Sequence, residues 1–103
     1  MIKVSVLYPN GPDITFDVNY YCDIHVPMVG GLLGDALKGG HVDSGLAGGD
    51  EGAPAPFIAM GHLNFDSVDD FQQSFGPNAE KILADLPNFT NSVPLIQISE
   101  IKI

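Results

Sequence analysis

The sequence predicts an α+β fold with the element order βαββαβ, the ferredoxin-like plait, in which two helices cover one face of a four-stranded antiparallel sheet. Three observations predict it. Residues 2–8 alternate apolar and polar side chains, residues 57–65 form a long strand-like run, and two further stretches carry apolar residues at the three- and four-residue steps typical of helices. A chain of 103 residues suits a single domain that spans residues 1–103.

The first strand, Ile2 to Tyr8, ends at the turn sequence PNGP, and a helix follows it. Asp17 suits the N-cap of this helix, while Phe16 and Tyr21 occupy the N′ and N4 positions of a hydrophobic staple. One helical face then carries Val18, Tyr21, Ile24, His25, Met28, Leu32 and Ala36.

Proline interrupts this helix. Pro27 has no amide proton and its ring presses on the carbonyl of Asp23, so the helix is expected to kink or restart near His25. Such a kink would open a cleft between helix and sheet. The helix is expected to end near Leu37, before the sequence KGG.

The second half of the chain supplies the remaining elements. A short strand begins at His41, a solvated loop covers residues 47–56, and the strand at residues 57–65 follows. Asp66 or Ser67 caps the second helix, which Gly76 and Pro77 interrupt before it continues through Leu86. The last strand covers residues 93–103, and Pro94 near its start favours an edge position.

Apolar side chains are expected on the sheet face that the helices leave open. Ile58, Met60, Ile96 and Ile98 are assigned to this face, and no part of the chain remains to cover it. A second copy related by a two-fold axis would cover it, so a homodimer is expected. A composition of 45% hydrophobic and 17% charged residues supports an oligomer.

Charge limits the classes of partner. The net charge is −9, and the four cationic side chains are Lys3, Lys38, Lys81 and Lys102. Nucleic acid is not expected as a partner, since its binding needs clustered cations, and acidic membranes would repel the chain. Because no arginine is present to clamp a carboxylate or phosphate, a neutral small molecule is the expected ligand.

Location is predicted from what the sequence lacks. One cysteine, Cys22, cannot form an intramolecular disulfide, no signal-like segment precedes the first strand, and no apolar run approaches the roughly 20 residues of a membrane span. A cytoplasmic protein is expected.

Three segments carry a family resemblance. FDVNYYCDIHVPMV, residues 16–29, has a Phe-Asp opening, the paired Tyr20 and Tyr21, and the element His25-x-Pro27. With FIAMGHLNFDSVDDF, residues 57–71, and GPNAEKILADLPNFTN, residues 76–91, it resembles the EthD-like proteins, a family named from an ether-degradation gene cluster. The resemblance implies a dimeric α+β barrel, in which two sheets face each other with the helices outside, and a loosely defined oxidoreductase-like or degradative role. Similar folds host monooxygenases, isomerases, cyclases and some haem enzymes, so fold alone does not decide the chemistry.

The candidate site lies on the first helix. Asp17, Tyr21 and His25 project from one side at four-residue steps, and Tyr8 reaches the same region from the first strand. An imidazole, with an unperturbed pKa of ~6.5, exchanges protons near neutrality, so His25 is the candidate general acid or base and Tyr21 or Tyr8 the hydrogen-bond donor. The candidate substrate-binding residues are Phe57, Leu63, Met28 and Tyr20.

Simpler roles compete with these. His25 also suits a hydrogen-bonded core histidine, and capping alone explains Asp17. No two of His25, His41 and His62 have helical or hairpin ligand spacing, so no metal and no other cofactor is expected, and His62 suits a dimer interface.

Two functions remain open. The first is a small cofactor-independent enzyme, oxidoreductase- or monooxygenase-like or an isomerase or cyclase, that acts on a neutral apolar or aromatic molecule in the cleft. The alternative is a non-catalytic dimeric protein that binds such a ligand or assists a catabolic enzyme.

Overall fold

Four antiparallel strands form one sheet in the computed structural model, which describes residues 1–103. The strands are β1 (Ile2–Pro9), β2 (Gly39–Ser44), β3 (Phe57–Phe65) and β4 (Leu95–Glu100). Their order in the sheet is β2-β3-β1-β4, so β4 is an edge strand as predicted. The predicted ferredoxin-like plait is confirmed.

Two helical runs connect the strands, the first between β1 and β2 and the second between β3 and β4. The first contains α1 (Val18–Tyr20), a π-helical turn (Tyr21–His25), α2 (Val26–Leu33) and a 3₁₀ turn (Gly34–Ala36). The second contains α3 (Val68–Phe75), a 3₁₀ turn (Gly76–Asn78), α4 (Ala79–Ala84) and a further 3₁₀ turn (Leu86–Asn88). None of these helices has both the length and the apolar character that a membrane span requires.

The predicted helix caps are confirmed. The Asp17 carboxylate accepts a hydrogen bond from the Tyr20 amide at 3.1 Å, and Ser67 Oγ accepts one from the Asp70 amide at 3.1 Å. The rings of Phe16 and Tyr21 pack edge to face with centroids 5.1 Å apart, which completes the predicted staple. These local contacts fix where each helical run begins.

The irregularity predicted near His25 is a π-helical turn rather than a break. The Val26 amide donates to the carbonyl of Tyr21, five residues earlier, and Pro27 falls in the first turn of α2, where its missing amide proton costs little. The wider turn places residues four positions apart on the same face of the helix. The buried residues of this helical run are therefore Tyr21, His25, Val29 and Leu33. Ile24, which was predicted to face inward, is 53% exposed.

The sheet faces correct a second prediction. Ile98 pairs with Val4 and Ile96 with Val6, and paired residues of antiparallel strands share a face, so both isoleucines lie on the helix-facing side. They remain 40% and 49% exposed because the helices do not cover the β4 edge. Alternation along the paired strands gives the open face a mixed character. It carries Leu7, Ile58, Met60 and Leu95 together with Lys3, Ser5, His41, Asp43, His62, Asn64, Gln97 and Ser99.

The core divides into two clusters, one with mostly aliphatic and one with mostly aromatic side chains, which we call the aliphatic and the aromatic cluster. The aliphatic cluster joins the sheet to α2, α3 and α4 through Val4, Val29, Leu33, Phe65, Phe71 and Ile82. The aromatic cluster contains Tyr8, Tyr21, Ala59 and Phe89, with Phe16 packed against it. The candidate site lies where the two clusters meet.

Candidate active site

A cavity of about 500 Å³ lies between the helix-facing side of the sheet and the helical runs. Of its 21 lining residues 13 are hydrophobic, and none is an aspartate or a glutamate. Val29 and Ile82 of the aliphatic cluster and Tyr8 and Tyr21 of the aromatic cluster contribute to its wall. Its size falls within the range of about 300–1,000 Å³ that is typical of small-molecule sites.

The cavity brings together four of the residues that the sequence singled out. Tyr8, Tyr21, His25 and Leu63 line it. The other three lie elsewhere. Phe57 is the first residue of β3 and pairs with Pro9, next to a register shift in the β1–β3 pairing. Met28 packs against the aliphatic cluster, and the Tyr20 hydroxyl bonds to Asp85 at the end of α4.

His25, which is buried, pairs with the half-buried carboxylate of Asp85, a partner that the sequence did not predict. The ring is 4% exposed, and its Nδ1 lies 2.8 Å from Oδ2 of Asp85, which follows α4. A carboxylate can only accept a hydrogen bond, so Nδ1 carries the proton and donates a hydrogen bond to Asp85. Nε2 makes no hydrogen bond within the chain, and His25 lines the cavity.

Asp85 is held by other donors as well. Its Oδ1 accepts from the Tyr20 hydroxyl at 2.7 Å and from the Asn88 side-chain amide at 2.9 Å. Desolvation alone would raise the pKa of this carboxyl, but the hydrogen bonds from Asn88, His25 and Tyr20 together lower it below its ordinary value. Asp85 is therefore an ionised, oriented partner of His25. Tyr20, predicted to bind substrate, instead fixes this partner.

A signal for Asp85 exists in the sequence. An acid at the C-terminal end of a helix is unfavourable with respect to the helix dipole, and Asp85 directly follows α4 between the apolar Ile82 and Leu86. Such a placement indicates a role beyond helix stability.

Asp85→Asn is expected to destabilise the protein in a pH-dependent way. Because the folded-state pKa of Asp85 is lowered, its contribution is present above the ordinary carboxyl pKa of about 3.9 and is lost as the pH falls through the lower folded value. Loss of well-matched acceptors is expected to reduce the free energy of unfolding at pH 7 by about 1–2 kcal/mol.

Urea titrations at pH 7 and at pH 3 measure this effect, with the exposed Asp66→Asn as the control. A stability difference between wild type and Asp85→Asn that stays constant down to pH 3 would contradict the assignment.

Two tyrosines continue the aromatic packing from the histidine. The rings of Tyr8 and Tyr21 pack edge to face with centroids 5.6 Å apart, and the Tyr21 ring stacks on that of His25 at 5.5 Å. Burial raises the pKa of Tyr8 well above its ordinary value, with a further increase from Tyr21, and burial also raises the pKa of Tyr21. Both phenols therefore stay protonated at neutral pH and can donate hydrogen bonds.

Gly61 makes room for one of these hydroxyls. A Cβ at this position of β3 would clash with the Tyr21 hydroxyl oxygen, so any side chain there must displace the Tyr21 ring. The glycine therefore helps to set where the hydroxyl lies in the cavity.

Gly61→Ala is expected to lower the free energy of unfolding by about 1–3 kcal/mol, because the added methyl overpacks the site. Thermal and urea unfolding measure the loss, and Gly31→Ala, where nothing lies within 4 Å of the added Cβ, is the control. Removing the hydroxyl in Gly61→Ala/Tyr21→Phe should recover part of the stability. No recovery would show that the strain arises elsewhere.

Residues that could hold a metal ion project together from the open face of the sheet, and two of them, His41 and His62, also belong to the lining of the cavity. β2–β3 pairing places His41 directly opposite His62, with Asp43 beside them. The sequence reading did not bring these histidines together, because their proximity depends on strand register.

Comparisons with known proteins agree with this architecture. The EthD domain profile matches residues 15–92. The chain is similar to an EthD-like protein of Ralstonia eutropha JMP134, with 42% identity, a TM-score of 0.95, and coverage of 99% of this chain and 92% of that one. A second solved structure, an ethyl tert-butyl ether D (EthD) family protein of Bacillus halodurans C-125, has 19% identity and a TM-score of 0.69, with 99% of each chain covered. No curated protein matches the sequence.

Fold and cavity thus define a ferredoxin-like α+β protein with an apolar pocket between sheet and helices. The chain belongs to the EthD family, as its motifs predicted.

Proposed function

We propose that this protein is a small cofactor-independent enzyme in which His25 transfers a proton to or from a neutral apolar or aromatic molecule bound in the cavity. The observation that carries the proposal is that His25, buried at the wall of an apolar cavity, is paired with the half-buried carboxylate of Asp85 at 2.8 Å. Perturbed titratable groups beside a concave apolar pocket are a general mark of active sites.

The proton transfer would use the free nitrogen of His25. Asp85 accepts a hydrogen bond from the Nδ1–H group and so stabilises the tautomer in which Nε2 has an available lone pair. When Nε2 takes a proton, the carboxylate stabilises the imidazolium that forms. Tyr20 and Asn88 hold the carboxylate in place, which makes them positioning residues.

The tyrosines would stabilise charge on the substrate. Because the Tyr8 and Tyr21 hydroxyls remain protonated, either can donate to a substrate oxygen on which negative charge develops. His25 and a phenol together suit proton abstraction next to a carbonyl or from a phenol. Cofactor-independent oxygenation of a phenolate or enolate, isomerisation through an enolate and aldol-type cyclisation each begin with such a step.

The substrate class follows from the lining. Lys38 is the only lysine in the wall, and the chain has no arginine with which to clamp an anion. A net charge of −9 also disfavours anionic substrates. We therefore assign a neutral substrate, with Leu63 among the apolar residues that contact it.

Screening tests the proposal. Neutral aromatic ketones, phenols and ethers would be screened for thermal stabilisation of tag-free protein, and those that bind would be incubated with and without oxygen before mass spectrometry of products. Conversion of a bound compound by wild type, without added flavin, haem or metal, is the expected result. Saturable binding with no product under either condition would contradict catalysis and favour the alternative below.

The alternative is a non-catalytic ligand-binding or accessory protein of a catabolic pathway. The apolar and aromatic wall favours it, since Tyr8, Tyr21 and Phe75 all line the cavity. Such a wall retains apolar ligands without any proton transfer. Equal ligand affinity in wild type and His25→Gln, with no turnover in either, would identify this function.

A homodimer is part of the proposal. Edge strand β4 exposes apolar side chains on both faces, with Leu95 57%, Ile96 49% and Ile98 40% exposed, and Val93 just before it is 80% exposed. A second copy is the simplest cover for such an edge. We also place the protein in the cytoplasm, because its single cysteine suits a reducing compartment.

Sedimentation at micromolar concentration is expected to give twice the mass of one chain, and a double substitution, Ile96→Lys/Ile98→Lys, is expected to give the single-chain mass. Leu46→Lys, at a site 97% exposed in a loop, is the control. A wild-type monomer would contradict the dimer.

A further inference from the structure

A compact group of potential metal ligands projects from the open sheet face, opposite to the face that bears the candidate active site, although His41 and His62 also belong to the lining of the cavity. Oδ2 of Asp43 lies 3.2 Å from Nε2 of His62 and 3.7 Å from Nε2 of His41. Each of the three residues offers one ligand atom, and these atoms all lie within 4.8 Å of one another.

Strand pairing builds this group. His41 of β2 is the direct cross-strand partner of His62 of β3, and Asp43, two residues further along β2, projects from the same face. All three side chains therefore stand on rigid, hydrogen-bonded backbone. Two imidazoles with ring centroids 4.8 Å apart and a carboxylate between them form a donor set that zinc-class metals favour.

One of the ligands is oriented in advance. Ser5 of β1, which is buried, lies with its Oγ 2.9 Å from Nδ1 of His62. This contact fixes the imidazole so that Nε2 faces Asp43. Metal-binding histidines commonly use their second nitrogen for such an orienting hydrogen bond.

We propose that His41, Asp43 and His62 form a binding site for a divalent transition-metal ion of the zinc class, with the remaining coordination position open. Ligand bonds of about 2.0–2.2 Å place tetrahedral donors about 3.3 Å apart. The Asp43 distances already approach this separation, and the His41 side chain, 63% exposed, is free to close the remaining gap.

Charge in the surroundings favours a cation. The protein carries a net charge of −9, although Lys3 stands on the same face, two residues from Ser5. An apolar sheet surface would serve a simple dimer interface better than two adjacent histidines and an acid. The spacing of the histidines in the sequence predicted no metal, and the proposed site departs from that prediction.

Metal titration tests the site. Tag-free protein freed of metal by a chelator would be titrated with Co²⁺, whose visible absorption reports nitrogen and oxygen ligands, and then with Zn²⁺ in competition. One ion per chain is expected, displaced by Zn²⁺ and not by Mg²⁺. His41→Gln and Asp43→Asn are each expected to weaken binding by at least about tenfold, and Ser5→Ala by about tenfold.

The control is Asp50→Asn, an exposed loop carboxylate, which should bind Co²⁺ as wild type does. His41→Gln alters an exposed side chain, so its result does not depend on a change in folding. No stoichiometric binding, or binding unchanged in His41→Gln, would overturn the site. Binding lost in His25→Gln instead would place the metal in the cavity and also overturn it.

Discussion

His25→Gln is expected to lower turnover of a bound substrate by about 10²- to 10⁴-fold, the range that a positioned general acid or base contributes. Glutamine can still donate a hydrogen bond to Asp85, but its amide cannot accept and release a proton near neutral pH. The effect should therefore appear in kcat rather than in ligand affinity or melting temperature. Steady-state kinetics on a compound from the ligand screen, together with thermal unfolding, measure both.

Phe57→Leu is the control for this variant, because Phe57 was predicted to bind substrate but does not line the cavity. Its turnover should equal that of wild type. A His25→Gln variant that keeps full turnover, or one that loses stability while turnover per folded molecule is unchanged, would contradict the proton-transfer role.

Phe65→Ala is expected to lower the free energy of unfolding by about 3–5 kcal/mol, the cost of truncating a buried aromatic side chain. Phe65 is 0% exposed and packs edge to face against Phe71 of α3 with centroids 5.2 Å apart. It joins the sheet to the second helical run, so its loss leaves a cavity that rigid neighbours cannot fill. Urea unfolding followed by circular dichroism measures the change.

The matched control is Phe57→Ala, since Phe57 is half-buried and belongs to neither core cluster. A much smaller loss of stability is expected there. Equal losses at the two positions would contradict the division of the core described above.

Local patterns predicted the elements of the fold well. The caps at Asp17 and Ser67 and the staple of Phe16 and Tyr21 depend on residues within five positions of each other, so the sequence alone specifies them. The order of the elements then leaves few topologies, and the family resemblance selects the same one.

Long-range register was harder to predict. Alternation divides β4 into two sets of side chains, but pairing with Val4 and Val6 decides which set faces the helices, and this pairing places Ile96 and Ile98 opposite to their predicted side. The π-helical turn has a similar effect, because one wide turn changes the inward set and leaves Ile24 exposed.

The same limit applies to the site. Tyr21 and His25 lie one turn apart and could be recognised together, whereas Asp85 meets His25 from 60 residues away. His41 and His62 likewise meet only through β2–β3 pairing. Local spacing cannot reveal such partners.

Deuterium incorporation into a bound compound tests the central proposal most directly. Carbonyl compounds and phenols found in the ligand screen would be incubated with the protein in D₂O and analysed by NMR for exchange at carbon. Wild type is expected to catalyse exchange, Asp85→Asn to catalyse it more slowly, and His25→Gln to lose it. Binding without exchange by wild type, or exchange that persists in His25→Gln, would contradict proton transfer by His25.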